Sequence, residues 1–375
     1  MYLNCEEEAT LNGEFGTAKQ KAMEILTALG DIYGADKLIT VESSQVAGVS
    51  YKTIGEAGLE YLTQLNGRVV IPTTLNPMGM DKFKWKELGI SAHFHAKQME
   101  IIENYEKLGI NSQCTCTPYY KFKPLRGSHV SWSESSAVSY ANSVLGARTN
   151  REGGPSALAS ALIGKTPNYG YHLDKNRIPT LLIKVNFKLQ DSDYGALGYI
   201  IGKLVGTNVP SFFFVSVPKN DDLKALGASM AATGAVALYH IHKIIERPVD
   251  IIEVERGDLD IYSFEEPDIV AIGCPHCSQS ELIKIAKLLE GKKVKKQLWI
   301  CTSREVAQMC PHIIKAIENS GAEVICDTCM VVSPAFEGRK MMVNSGKAFA
   351  YGPSLCKSRT FLCTTKGCID AACSA

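Results

Sequence analysis

Apolar positions along the first third of the chain alternate between helical and strand-like spacing. In Glu6–Gly34 they recur at helical intervals, which predicts an amphipathic helix. The short apolar runs Lys37–Val41 and Val69–Thr74 predict strands, the second one buried, and Ile54–Leu65 between them predicts a helix. Helices and strands that alternate in this way are typical of a parallel α/β sheet.

The last third of the chain has the most regular pattern. Strands are predicted at Asp268–Ile272, Gln297–Ile300 and Glu323–Ile325, and helices are predicted between them at Glu281–Leu289 and Glu305–Asn319. This succession predicts a βαβαβ unit. In such units ligands bind beyond the carboxyl ends of the strands, where the loops converge.

The middle of the chain is less regular. Thr180–Leu189 is predicted to be extended, and the Ala- and Gly-rich stretch Leu223–His240 is predicted to form a buried helix. A length of 375 residues suits two or three packed units. We therefore expect one region over 1–375, divided into α/β sub-domains at 1–125, 126–265 and 266–375.

Charge and the N-terminal residues narrow the classes of function. The 40 Lys and Arg residues nearly balance the 39 Asp and Glu residues, and no basic stripe or acidic tail indicates a nucleic-acid or membrane partner. Met1–Asn12 is polar and acidic and lacks the features of a signal peptide, so we expect a cytoplasmic protein. Disulfides are unusual in that compartment, and some of the 13 cysteines are therefore expected to bind metal.

Three cysteines lie where the predicted strands would place a ligand. Cys116 follows the segment 111–113, Cys274 follows the strand that ends at Ile272, and Cys329 follows the strand that ends at Ile325. Thiolates bind both zinc and iron–sulfur clusters. If three of them hold a 4Fe–4S cluster, one iron keeps an open position that can bind a substrate hydroxyl and help it to leave.

The spacing of the cysteines leaves other assignments open. Each candidate ligand has a neighbour two or three residues away, in the pairs Cys114/Cys116, Cys274/Cys277 and Cys326/Cys329. The last two pairs have the C-x₂-C spacing of zinc knuckles and redox dithiols, so a non-catalytic zinc- or cluster-binding interaction protein is an alternative. The spacing does not decide which thiol of each pair binds metal. His276 either supports a ligand through a hydrogen bond or caps the turn.

Several stretches of the sequence resemble the aconitase X family. The resemblance runs from Met1 to about Lys347, and its most specific part is the motif Ala141–Ser156. The other matching stretches are Gly48–Gly55, Cys116–Tyr119, Glu134–Val138, Gly273–His276 and Asn344–Lys347. The resemblance implies an aconitase-type fold of three α/β domains with parallel and mixed sheets, and a cluster site at their junction. The swivelling domain of such enzymes is expected on another chain.

Within the family the likeness is greatest to archaeal members. It implies a hydro-lyase that converts (R)-5-phosphomevalonate to trans-anhydromevalonate 5-phosphate in the mevalonate pathway of isoprenoid biosynthesis. Dehydration of cis-3-hydroxy-L-proline, the activity of bacterial relatives, is the alternative within the family. The resemblance further implies that a 4Fe–4S cluster, or a smaller cluster, is held by Cys116, Cys274 and Cys329. It assigns substrate binding to Gly48, Val49, Ser50, Asn76, Pro77, Glu134, Ser135 and Lys347.

The resemblance also implies a protein partner. A separate small subunit is expected to carry the swivelling domain and a serine that acts as the base, in a heterodimer or a larger assembly. Glu134 is suited to hold the substrate hydroxyl or to share its proton, and Lys347 is expected to be a mobile cation that binds a phosphate or carboxylate. Without the partner, this chain is expected to hold the cluster and to turn over little substrate.

Overall fold

The N-terminal part of the chain folds around two small sheets. The computed structural model describes residues 1–243 and 249–374. The N-terminal unit consists of α1 (Cys5–Leu11), α2 (Thr17–Ile32), β1 (Leu38–Thr40), β2 (Ser44–Val46), α3 (Tyr51–Gln64), β3 (Thr73–Leu75), α4 (Ala92–Lys107), β4 (Asn111–Cys114), β5 (Ser131–Trp132), α5 (Ser135–Tyr140), α6 (Gly154–Ile163) and β6 (Lys165–Pro167). Four strands form a parallel sheet in the order β4-β3-β2-β5, and β1 pairs antiparallel with β6.

The helix predicted at Ile54–Leu65 is confirmed as α3, but two other predictions for this unit are wrong in detail. The single helix predicted over Glu6–Gly34 is two helices, because Gly13 and Gly16 between α1 and α2 have φ values of 88° and 94°. The buried strand predicted at Val69–Thr74 is largely a loop with Val70 exposed, and strand β3 begins only at Thr73. Pro72 lies in that stretch and has no N–H to donate to a strand ladder.

The middle unit has a second parallel sheet. It consists of β7 (Leu181–Val185), α7 (Asp193–Val205), β8 (Pro210–Phe214), α8 (Asn220–Gly234), β9 (His240–Ile241) and β10 (Asp250–Val254), with the strand order β10-β7-β8-β9. The helix predicted over Leu223–His240 ends six residues earlier, at Gly234. A Cβ atom on Gly234 would lie 1.7 Å from the carbonyl oxygen of Gly202 in α7, so only glycine permits this close contact of the two helices.

The C-terminal unit contains the predicted βαβαβ succession and extends it, but the single helix predicted over Glu305–Asn319 is two helices, separated at Cys310 before Pro311. Its elements are β11 (Ile269–Cys277), α9 (Gln279–Leu289), β12 (Gln297–Thr302), α10 (Arg304–Met309), α11 (Pro311–Asn319), β13 (Glu323–Cys326), β14 (Lys340–Val343), α12 (Gly346–Leu355), β15 (Arg359–Leu362) and α13 (Thr365–Cys373). All neighbours in the order β13-β12-β11-β14-β15 are parallel. Helices cover both faces, which explains why every residue of β11 is buried.

The carboxyl ends of the strands in the four-stranded sheet of the N-terminal unit face those of the strands in the sheet of the C-terminal unit. Met78, just beyond β3, forms a parallel bridge with Thr328, just beyond β13. The N–H of Met78 donates to the carbonyl of Asp327, and the N–H of Cys329 donates to the carbonyl of Met78, both at 2.9 Å. The loop after β3 and the loop that carries Cys329 therefore meet between the N-terminal and C-terminal units.

No helix in the described part of the chain has the length and apolar character needed to cross a bilayer. The sub-domain limits expected from patterning, at 1–125, 126–265 and 266–375, stay predictions. Residues 244–248 and 375, which fall inside the last two ranges, lie outside the described residues.

Candidate functional site

The three candidate cysteines come from three separate segments of the chain, two in loops and one in a strand. Cys116 follows β4, Cys274 lies at the register shift near the end of β11, and Cys329 follows β13. Burial raises the pKa of each thiol, that of Cys116 to about 12. In each case the ammonium group of Lys347 opposes this rise of the pKa. All three thiols are therefore within electrostatic reach of the same cation.

The second cysteine of each pair has different surroundings. Burial raises the pKa of Cys114, Cys277 and Cys326 as well. The charged groups that perturb these thiols most are, respectively, Asp327, Glu281 and Arg304. The two thiols of each pair thus have different charged neighbours. The assignment of Cys116, Cys274 and Cys329 as ligands stays a prediction.

These thiols suit an iron–sulfur cluster in chemical type and in burial. The thiol sulfur of Cys116 accepts a hydrogen bond from the backbone N–H of His276 at 3.1 Å, a contact that also favours a thiolate. Within residues 1–243 and 249–374, no three His, Cys, Asp or Glu side chains are grouped closely enough to hold one metal ion. The thiolates of a cluster bind separate iron atoms and need not converge on one point. The residues present therefore fit a cluster held by Cys116, Cys274 and Cys329.

Lys347 is not the mobile cation that the sequence predicts. Its side chain is 5% exposed and forms a salt bridge with Glu134, whose side chain is 9% exposed. Lys347 lies in the first turn of α12, and Glu134 is the N-cap residue of α5, so the pair joins the C-terminal and N-terminal units. Burial alone would raise the pKa of Glu134, but Lys347 and Ser136 together hold it below its usual value.

The pair keeps hydrogen-bonding capacity for a ligand. The Oε1 atom of Glu134 accepts from Lys347 and from the hydroxyl and N–H of Ser136. Lys347 also donates to the Ser136 hydroxyl at 3.2 Å, which uses two of its three N–H groups. Within the described residues the Oε2 atom of Glu134 accepts no hydrogen bond. One N–H of Lys347 and one carboxylate oxygen of Glu134 are thus available to bind a hydroxyl or carboxyl group.

The loop Gly48–Ser50 joins β2 to the start of α3. Gly48 has a φ of 79°, which favours glycine. Gln98 of α4 fixes the loop, since its amide accepts from the N–H of Tyr51 and donates to the carbonyl of Val49. Among the described residues, the N–H groups of Gly48, Val49 and Ser50 donate no hydrogen bond. Successive free N–H groups at a helix N-terminus are suited to bind an anion.

The remaining predicted substrate residues flank the same region. Asn76 and Pro77 lie just beyond β3, beside the bridge that joins Met78 to the Cys329 loop. The Oδ1 atom of Asn76 is buried and has no hydrogen-bond partner among the described residues, so it can accept a hydrogen bond from a ligand. Ser135 is half-buried in the first turn of α5, next to Glu134.

The sequence did not predict two charged side chains at this site, Lys224 and Arg304. Lys224 of α8 is buried, and its ammonium group donates to Glu281 and to the carbonyl of His276, the latter at 3.1 Å. Arg304 of α10 lies between Asp81 and Asp327 and donates to them at 3.1 and 2.5 Å. The lone lysine in an otherwise apolar stretch of α8 was a usable signal for Lys224. The sequence contains no comparable signal for Arg304.

A cavity of about 690 Å³ lies between the middle and C-terminal units. It is lined by Cys274 and Ser345 on one side and by Ser216 and Lys219 on the other. The Ser345 hydroxyl, which donates to the carbonyl of Cys274, also caps α12 by accepting from Ala348. The cavity therefore reaches the loop that carries one of the three candidate ligands.

Family models identify the class of protein that this fold and site represent. The models match the aconitase X first domain at residues 1–175, the second domain at 179–263 and the third domain at 267–374. The chain belongs to the aconitase X family. The crystal structure of Thermococcus kodakaraensis aconitase X in its holo-form is similar, with a TM-score of 0.91 and 45% identity, over 99% of this chain and 100% of that chain. This similarity confirms the expected aconitase-type α/β fold.

Two curated relatives bear on the particular activity. The chain is 56% identical over 386 residues to the phosphomevalonate dehydratase large subunit of Methanosarcina mazei, which covers 99% of this chain and 97% of that protein. It is 31% identical over 406 residues to the cis-3-hydroxy-L-proline dehydratase of Pseudomonas aeruginosa, which covers 99% of this chain and 70% of that protein.

Proposed function

We propose that this chain is the large subunit of a hydro-lyase that dehydrates (R)-5-phosphomevalonate to trans-anhydromevalonate 5-phosphate. The observation that carries the proposal is that hydrogen bonds of His276 join the segments of Cys116, Cys274 and Cys329 at the carboxyl edges of two parallel sheets. The buried Lys347–Glu134 pair lies next to Ser345, which donates to the carbonyl of Cys274. The 56% identity to the Methanosarcina mazei large subunit supports the choice of substrate over cis-3-hydroxy-L-proline. The pathway assignment to isoprenoid biosynthesis and a cytoplasmic location rest on the same support.

Elimination of water from a β-hydroxy acid needs help at two atoms. Hydroxide is a poor leaving group, and the proton on the carbon next to a carboxylate is only weakly acidic. We assign Cys116, Cys274 and Cys329 to a 4Fe–4S or smaller cluster, which when bound would supply the Lewis acid for the hydroxyl. To Glu134 we assign the role of holding the substrate hydroxyl or exchanging its proton, which the absence of a hydrogen bond at its Oε2 atom among the described residues supports.

The substrate has two charged ends, and the chain offers a group for each. The N–H groups of Gly48, Val49 and Ser50 at the start of α3 are suited to the phosphate. The remaining N–H of Lys347 is suited to the carboxylate. Asn76, Pro77 and Ser135 complete the proposed binding surface, with the buried Oδ1 atom of Asn76 as a hydrogen-bond acceptor for a hydroxyl.

The proposal includes a partner. The Methanosarcina mazei relative is a large subunit, which implies a small one. We assign to that small subunit the swivelling domain that closes the site and the serine that acts as the base.

The test is anaerobic production of this chain together with a small subunit encoded by the same genome, followed by incubation with (R)-5-phosphomevalonate. We expect an unsaturated phosphate to form only when both chains and iron are present. Cys116→Ser should abolish the product and lower the iron content, whereas the matched Cys114→Ser should keep both. Dehydration of cis-3-hydroxy-L-proline instead would favour the alternative enzyme. Unchanged metal content in Cys116→Ser, with zinc as the metal, would favour the non-catalytic zinc protein.

A further inference from the structure

His276 makes four hydrogen bonds that extend in different directions. Its backbone N–H donates to the sulfur of Cys116 at 3.1 Å, and its carbonyl accepts from the ammonium group of Lys224 at 3.1 Å. Its ring Nδ1 atom lies 3.1 Å from the Thr115 hydroxyl, and its Nε2 atom lies 2.9 Å from the carbonyl of Thr328. The side chain is 1% exposed, so water does not compete for these contacts.

The partners determine the tautomer of the ring. A carbonyl oxygen can only accept, so Nε2, which faces the carbonyl of Thr328, carries the proton. In the neutral ring Nδ1 is then an acceptor, and the Thr115 hydroxyl donates to it. That hydroxyl is itself held in place, because its oxygen accepts from the N–H of Thr117 at 3.1 Å. Each contact of the ring is therefore directional, with one donor and one acceptor.

The four partners belong to all three units of the chain. Thr115 and Cys116 follow β4 in the N-terminal unit, Lys224 lies on α8 in the middle unit, and Thr328 follows β13 in the C-terminal unit. Thr115 and Thr328 are 161 and 52 residues from His276 along the chain. His276 itself stands two residues after Cys274, and Thr115 and Thr328 each stand beside another candidate ligand. The ring thus bonds to the segments that carry Cys116 and Cys329, and His276 itself lies in the same strand as Cys274.

We propose that His276 is the positioning residue that holds the loops of Cys116, Cys274 and Cys329 at a fixed spacing before a cluster binds. The proposal rests on the assignment of these cysteines to an iron–sulfur cluster. A residue that only capped its own turn would bond within residues 274–278, whereas both ring nitrogens of His276 bond to other loops. Groups that orient metal ligands from behind affect metal affinity by about 10- to 100-fold when they are replaced.

Three variants separate the contacts of the ring. His276→Leu removes both, His276→Gln can still donate to the carbonyl of Thr328, and His276→Asn can still accept from Thr115. The exposed His312 on α11 supplies the matched control, His312→Gln. Two measurements apply to the full chain. The first is the rate at which iodoacetamide alkylates each cysteine in the metal-free protein, followed by peptide mass spectrometry. The second is the rate at which a chelator removes iron from the anaerobically reconstituted protein.

We expect His276→Leu to raise alkylation of Cys116, Cys274 and Cys329 together, and to speed iron loss by about 10-fold or more. His276→Gln and His276→Asn should each show alkylation and iron-loss rates between those of His276→Leu and the wild type. His312→Gln should show the wild-type rates. Cys301 and Cys368, buried in β12 and α13, should react no faster, which separates loosened loops from general unfolding.

Wild-type alkylation and iron-loss rates in His276→Leu would overturn the proposal, as would equal acceleration at Cys301 and Cys368. If His276→Leu does not fold, His276→Gln and His276→Asn decide in the same way. A wild-type chain that takes up no iron would refute the cluster assignment alone. The alkylation rates would still show whether His276 holds the three loops.

Discussion

Removal of one member of the buried pair of Lys347 and Glu134 should be among the most destabilising single substitutions in the metal-free chain. The two side chains are 5% and 9% exposed, and the salt bridge joins α12 of the C-terminal unit to the start of α5 in the N-terminal unit. Replacing one partner leaves the other charge buried without compensation, which costs roughly 3–5 kcal/mol. Lys347→Met and Glu134→Gln are the two single changes.

The magnitude translates into a measurable temperature. The N-terminal unit is matched by the first family model over residues 1–175. For a unit of that size, 1 kcal/mol of stability moves the unfolding temperature by about 2–4 °C, so each single variant should unfold roughly 6–20 °C below the wild type. The double variant should be more stable than the sum of the two changes by on the order of 3 kcal/mol, because neither charge is left alone. Circular dichroism of the reduced, metal-free chain at low and high salt measures both effects. Salt should change them little, since the pair is buried.

The exposed pair of Lys184 and Glu253, at 38% and 62% exposure, provides the matched control. Lys184→Met should change the stability by no more than about 1 kcal/mol. The reasoning would be refuted if Lys347→Met and Glu134→Gln each lowered the free energy of unfolding by no more than about 1 kcal/mol. Strict additivity in the double variant would do the same, since it would mean that the two side chains do not interact.

Three further predictions concern the packing and electrostatics of the middle and N-terminal units. Gly234→Ala should destabilise the middle unit by several kcal/mol, about 3 or more, because the new Cβ atom would overlap the carbonyl of Gly202; urea unfolding measures the loss. Lys224→Met should cost about 1–3 kcal/mol, because the Glu281 carboxylate, whose side chain is 31% exposed, loses its buried partner, and adding Glu281→Gln should recover part of that loss. Burial lowers the pKa of His172 from 6.5 to about 3, so the unfolded chain binds more protons between these pH values and stability is lost as the pH falls through them. Between pH 7 and pH 5 the loss is about 2 kcal/mol, and His172→Gln should remove that part of the pH dependence of urea unfolding.

The parts of the fold that the sequence predicted are those where burial dictates composition locally. All nine residues of β11 are buried, so the strand appears as an apolar run, and α9 shows helical spacing because only one face is buried. The pattern correctly placed Cys329 beyond the end of a strand, whereas Cys274, predicted to follow a strand that ends at Ile272, lies inside β11. The strand prediction for Val69–Thr74 was wrong for the complementary reason. Its apolar residues are not fully buried, since Val70 is exposed, and Pro72 has no N–H to donate to a strand ladder.

The sequence led to a candidate set of site residues, but it gave no information on the contacts among them. Lys347 and Glu134 are 213 residues apart, and no local pattern shows that one neutralises the other. The expectation of a mobile cation was reasonable for an isolated lysine and wrong for a buried, paired one. His276 had two possible roles for the same reason, because Thr115 and Thr328 become its neighbours only through the packing of two sheets.

Several contacts between the N-terminal and C-terminal units lie beside the segments that carry the three thiols. Asp81 of the N-terminal unit accepts from the N–H of Cys326 at 2.8 Å and from Arg304, and Arg304 also binds Asp327. Two backbone hydrogen bonds of Met78 lie beside them, followed by the contacts of His276. The same contacts that dock the units therefore set the distances between the sulfur atoms. Because Cys116 belongs to one unit and Cys274 and Cys329 to another, any rotation of the units changes the ligand spacing. The thiols keep a fixed spacing only while the units remain docked, and a group that binds all three thiols in turn stabilises the docked arrangement.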